Sequence, residues 1–159
     1  MSDINVLRGA TIVGMLYENG ATKHDLGEIE VETRILIVDD SRIVRERLRD
    51  MLQDHPQWKV SAEAASGSEA VAEAKHSRPD LIVLDLLMPG MNGLQAALEL
   101  SKVAPNVPIL MFTMHLSKQL IDEARHVGIR GAVAKYDPKR VVEGVEALLR
   151  NESYFAAPN

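Results

Sequence analysis

Three aspartates, a threonine and a lysine each stand at the end of an apolar run, and that shared placement gives them a chemistry. Leu81-Ile82-Val83-Leu84 ends in Asp85 and is followed by Met88-Pro89-Gly90. Arg34-Ile35-Leu36-Ile37-Val38 ends in Asp39-Asp40. Two further runs, Val107 to Phe112 and Gly131 to Ala134, end in Thr113 and Lys135. Continuous apolar runs bounded by turn residues read as parallel strands buried on both faces. The carboxyl ends of such strands line the ligand crevice of an open α/β sheet. Three carboxylates at one rim repel unless one is protonated or a cation lies among them, so the set asks for a metal. A nucleophilic carboxylate, a divalent cation, a hydroxyl and a compact ammonium are the parts that phosphoryl transfer to an aspartate requires.

The elements that position these residues follow from the intervening segments. Ser41 predicts a helix cap, with Ile43, Val44, Leu48, Met51 and Leu52 on the inward face. His55-Pro56 ends that helix, and Trp58 to Ala64 alternates like a strand at a sheet edge. Helices are predicted from about Ser68 to His76, from Gly93 to before Pro105, and from Ser117 to Val127 with Gly128 just past its end. Asp137-Pro138 predicts a cap and first helical residue for a last helix with Val141, Val142, Val145, Leu148 and Leu149 inward. Strands alternating with helices imply a parallel sheet covered on both faces. Right-handed crossovers and the common rim favour a flavodoxin-like (βα)5 doubly wound sheet of strand order 2-1-3-4-5.

Composition narrows the class. The chain has 159 residues, 46% of them hydrophobic and 26% charged, which suits one globular domain. It has no cysteine, so disulfides and thiolate metal sites are excluded. No apolar run reaches the roughly 18–20 residues that span a bilayer, and a cytoplasmic location is expected. The net charge of −5 is uneven: residues 1–33 hold six acids against two bases. No basic stripe supports nucleic-acid binding, and no helix-turn-helix segment follows the last predicted helix, so DNA binding is not expected. Residues 1–33 lack a clear period and divide from a main domain over 34–152, with a tail over 153–159. Two readings of residues 1–33 stay open, a real extension or a misplaced start with Val31 as the true initiator.

Asp39-Asp40, Asp85 with Met88-Pro89-Gly90-Met91-Asn92-Gly93, Thr113 and Lys135 together resemble the response-regulator receiver domain of the CheY-like superfamily. The resemblance runs from about Arg34 to Arg150. Pro108 to His115 and Ala147-Leu148-Leu149-Arg150 are most similar to receivers of the NarL/LuxR type. It implies that Asp85 is a phosphoacceptor served by a sensor histidine kinase or a histidine phosphotransfer protein. It also implies that Asp40 contacts a metal directly, Asp39 through a water, and the backbone carbonyl of Leu87 completes the protein ligands. A hard, oxygen-ligated cation that keeps several waters is Mg²⁺, with Mn²⁺ as a substitute. Thr113 and Lys135 would hold the phosphoryl group. Output would pass to an unidentified protein through a face carrying Leu116, Leu120 and the last helix. Beyond Mg²⁺-dependent self-phosphorylation and slow autodephosphorylation, no enzymatic activity is expected.

Departures from the family pattern bear on mechanism. Where many relatives carry an aromatic switch residue three positions before the lysine, this chain has Ala132. That substitution motivates an alternative, a phosphorylation-independent adaptor or a phosphate sink. The residues two past Asp85 and two past Thr113, which flank the path of a hydrolytic water in relatives, are Leu87 and His115. An apolar Leu87 cannot orient water, so a comparatively long-lived acyl phosphate is expected.

Overall fold

The computed structural model describes residues 31–158. Both readings of residues 1–33 therefore fall almost wholly outside the described residues. Along the chain lie β1 (Thr33–Val38), α1 (Arg42–Gln53), β2 (Trp58–Ala64), α2 (Gly67–Ser77), β3 (Leu81–Asp85) and α3 (Gly93–Val103). They are followed by β4 (Ile109–Thr113), α4 (Lys118–His126), β5 (Gly131–Ala134), α5 (Lys139–Leu149) and β6 (Tyr154–Phe155). All six strands pair in parallel in one sheet of order β2-β1-β3-β4-β5-β6. The predicted order 2-1-3-4-5 is observed, with one strand added at its open end.

The apolar runs form strands because both faces of the sheet are covered. Every residue of β3, β4 and β5 is buried. β2 is the edge strand, as its mixed pattern predicts, and an irregularity in its pairing falls between Ile35 and Leu36. No helix among the described residues is long and apolar enough to cross a membrane.

Side-chain caps start the helices. Ser41 and Ser117 accept from the backbone N–H of Val44 and Leu120, and Asn92 and Gln95 cap each other reciprocally. Gly128, with φ of 88°, ends α4 as its place predicts. Asp137 does not cap α5. Its carboxylate instead accepts from the Arg140 guanidinium at 2.8 Å, and the helix starts one residue later than expected.

Three further expectations change. Ile43, assigned to the inward face of α1, is 62% exposed, because it stands about 100° round the helix from Val44, off the stripe that Val44, Leu48, Met51 and Leu52 form. Leu116 and Leu120 are buried and so are core residues rather than a contact surface. The tail contributes β6, which pairs Tyr154 with Gly131 and Phe155 with Ala132.

Gly93 shows how tightly the loop after β3 is held. Its N–H donates to the Leu86 carbonyl at 2.7 Å, and a methyl group placed there would lie 2.3 Å from the Asp85 carbonyl oxygen. Helix propensity alone would favour alanine at this first-turn position by roughly 1 kcal/mol. The collision is with backbone and outweighs that gain. Gly93→Ala is expected to lower unfolding stability by about 1–3 kcal/mol in a urea titration; a raised midpoint would show that the loop yields.

Candidate metal and phosphoryl site

Asp39 and Asp85 reach the same rim because β1 and β3 are hydrogen-bonded neighbours, with Val38 opposite Leu84. Asp85 pairs with Phe112 on β4, which sets Thr113 one residue further along, and Thr113 pairs with Ala134, the residue before Lys135. The Lys135 N–H donates to the Thr113 carbonyl at 2.8 Å, which ties the two strand ends together. Four separate runs of sequence thus deliver their terminal residues to one place.

Asp39, Asp85 and Thr113 are buried, whereas Asp40 is exposed. The three carboxylates each offer an oxygen, and these lie within 4.8 Å of one another, a donor set able to hold a hard cation. The Lys135 ammonium enters the same cluster. Its Nζ lies 2.6 Å from Asp39 Oδ2 and 3.1 Å from Asp85 Oδ1. Sequence reasoning assigned Lys135 to a phosphate and missed that it neutralises this carboxylate pair directly. The signal was present in the repulsion argument itself, since Lys135 is the cation already supplied by an adjacent loop.

Titration follows this geometry. Burial, and then the charge of Asp39, raise the Asp85 carboxyl above the usual aspartate value despite the opposing pull of Lys135. A folded-state pKa above the unfolded one means that the folded protein binds more protons. Stability is then lost as pH rises through that interval, and at neutral pH the Asp85 charge is a net cost. Burial works against the Lys135 ammonium, but the hydrogen bond and charge of Asp39, joined by Asp85, hold its pKa above the usual lysine value.

The backbone around Asp39 is also fixed from outside the cluster. Its N–H donates to the Ala64 carbonyl at 3.1 Å, and its Oδ1 accepts from the Ser41 N–H at 2.9 Å. Arg45 donates from Nη1 to the Asp39 carbonyl at 2.7 Å and from Nε to Glu63 at 3.3 Å, while Arg49 pairs with that same Glu63. Arg45 was absent from the sequence-derived set. Its position one turn after Ser41, on the helix that leaves the Asp39-Asp40 loop, was the available signal. Leu87 lies in the loop leaving β3, its side chain 66% exposed, and His115 is exposed in the loop leaving β4.

Thermal melts separate the two roles of charge here. Lys135→Met removes the shared counter-ion and is expected to cost about 3 kcal/mol without metal, while enlarging the stabilisation by millimolar Mg²⁺. Asp85→Asn removes a costly charge and should raise the metal-free Tm while shrinking the Mg²⁺ shift. Equal Mg²⁺ shifts in wild type and both variants would dissociate the metal from this cluster.

The model of the response regulator receiver domain family matches residues 35–146. The chain is 35% identical over 116 residues to the chemotaxis protein CheY of Thermotoga maritima, covering 72% of this chain and 96% of that protein. It is 33% identical over 123 residues to the response regulator protein VraR of Staphylococcus aureus, covering 77% of this chain but only 59% of VraR. Among solved structures, a two-component response regulator of the LuxR family from Aurantimonas sp. SI85-9A1 superimposes with a TM-score of 0.75 at 35% identity. That match covers 77% of this chain and 89% of the other.

Proposed function

The chain belongs to the response regulator receiver family, a signalling family whose members are phosphorylated on aspartate, and on that premise we propose that Asp85 is its phosphoacceptor. The donor is a phosphohistidine on a sensor histidine kinase or a phosphotransfer protein. An Asp85 carboxylate oxygen forms a bond to phosphorus as the donor's P–N bond breaks, and the departing imidazole takes up a proton. Mg²⁺ (or Mn²⁺) held by Asp39, Asp40, Asp85 and the Leu87 carbonyl would neutralise charge on the phosphoryl oxygens.

The observation that carries this reading is the ammonium of Lys135 within 3.1 Å of the Asp85 carboxylate, at the joined ends of β3, β4 and β5. Lys135 is positioned to exchange its carboxylate partners for a phosphoryl oxygen, and the buried Thr113 to donate its hydroxyl to another. Such an exchange gives the phosphorylated chain a second set of contacts, which is the requirement for a two-state signal. Output then passes by protein contact. Ala132 still favours the sink or adaptor reading, since β5 itself offers no ring to move.

A protein donor rather than a small molecule is supported by the rim. Ile43, Leu87, Met114 and Tyr136 are large apolar or aromatic side chains that are 53–66% exposed, each in the segment that follows a strand bearing a site residue. Coming after the strands that lead into the site residues, they offer apolar contacts of the kind that seats a partner surface.

Incubation with Mg²⁺ and acetyl phosphate should raise the intact mass by one phosphoryl group, and hydroxylamine should remove it. Asp85→Asn should abolish the gain, and undiminished labelling of that variant would move the acceptor elsewhere. Once the donor is removed, Leu87→Asn should speed decay several-fold by giving water a hydrogen-bond partner beside Asp85; wild-type decay within seconds would contradict the long-lived state.

A further inference from the structure

β6 lies beyond residue 146, where the match to the family model ends, and it covers the edge of β5. The chain reverses after α5 at Asn151, whose φ is 64°, and returns alongside β5. Its pairing is short. Tyr154 N–H donates to the Arg130 carbonyl at 3.0 Å and Ala156 N–H to the Ala132 carbonyl at 2.9 Å, and the strand itself is two residues long.

Its side chains nevertheless touch both helices that flank the edge. The Phe155 ring sits under the Arg125 guanidinium of α4, 4.3 Å from Cζ to the ring centroid. The Tyr154 hydroxyl donates to Glu143 of α5 at 2.5 Å and accepts from Arg140 at 3.3 Å. The body of the protein is shaped for this segment: a methyl group at Gly131 would lie 2.6 Å from the Tyr154 carbonyl oxygen, and one at Gly144 would lie 3.3 Å from Tyr154 Cδ1.

α4 follows Thr113 and α5 follows Lys135, so β6 contacts the element after each residue that is to engage the phosphoryl group. Residues paired in register on parallel strands share a face, and Phe155 stands beside Ala132, placing a ring next to the β5 position that lacks one. We infer that residues 152–157 form a strap over the β5 edge that is released when Asp85 is phosphorylated, so that the segment, and the edge it uncovers, carry the signal. This rests on the proposed phosphorylation of Asp85. The sign follows from the fit. A seat closed to within a methyl group of Gly131 matches one arrangement of β5, α4 and α5, and displacement of either helix loosens it. A two-residue ladder and two half-buried rings are a short hold to overcome.

The test is residue-resolved amide hydrogen exchange by NMR on the full chain, before and after Mg²⁺ and acetyl phosphate, with intact mass recorded on the same sample. No mass gain would overturn the phosphoacceptor reading, and this inference with it. With the mass gain present, the amides of Tyr154 and Ala156 should exchange at least about tenfold faster while those of Ile37 and Val83 in the core stay protected. Unchanged or slower exchange at Tyr154 and Ala156, or equal acceleration in the core, would overturn the strap while leaving the phosphoacceptor reading intact. Phe155→Ala, which removes the contact with Arg125, should speed exchange at both amides without any phosphoryl donor; unaltered exchange in that variant would equally contradict the strap.

Discussion

Two buried carboxylates at the ends of adjacent parallel strands are tolerable in this protein because one ammonium lies between them. Lys135 bonds Asp39 at 2.6 Å and reaches Asp85 at 3.1 Å, across the tips of β1, β3 and β5. Without it, the sheet would end in uncompensated charge inside a low-dielectric rim, where each such group is costly to bury. The same contact makes the site responsive. Any change in charge on Asp85 alters the partners available to Lys135, and Lys135 is joined to β4 through the Thr113 carbonyl. In the proposed switch, a stabilising ion pair and a trigger are one interaction.

Positional accuracy comes from the apolar strands rather than from the charged residues. β3 is buried along its length, so the place where its first acid emerges is set by the length of the run, and Gly93 packs against the Asp85 carbonyl to hold the exit loop. Arg45 does the corresponding work on the other side, gripping the Asp39 carbonyl while anchored to Glu63 on β2. Rigid strands present the carboxylates, and in the proposed switch the loops after Thr113 and Lys135, which lead into α4 and α5, would carry displacement outward. β6 lies where those two paths meet.

The strand ends were legible in the sequence because a buried parallel strand shows as an unbroken apolar run, and its terminus shows as the first polar residue. Asp39, Asp85, Thr113 and Lys135 were found in that way, and their convergence followed from the strand order. Apolar character alone was a weaker guide on the helices. Ile43 stands about 100° round the helix from Val44, off the stripe of Val44, Leu48 and Leu52, so its side chain meets solvent. Leu116 and Leu120 were legible as apolar, but not as core, because burial depends on what packs over a segment. β6 left almost no trace: two residues cannot display a period, and its partners Gly131 and Ala132 lie on the other side of α5 in the sequence. The Lys135–Asp39 pair joins residues 96 apart, and no local pattern encodes which of several acids such a lysine meets.

The exchange of partners by Lys135 is the central claim, and it is directly visible. A high-resolution crystal structure with Mg²⁺ and beryllofluoride, a stable stand-in for the phosphoryl group, should show the Lys135 ammonium bonded to fluorine of the group on Asp85 and no longer to Asp39. An ammonium still hydrogen-bonded to Asp39, with the beryllofluoride seated on Asp85, would contradict it.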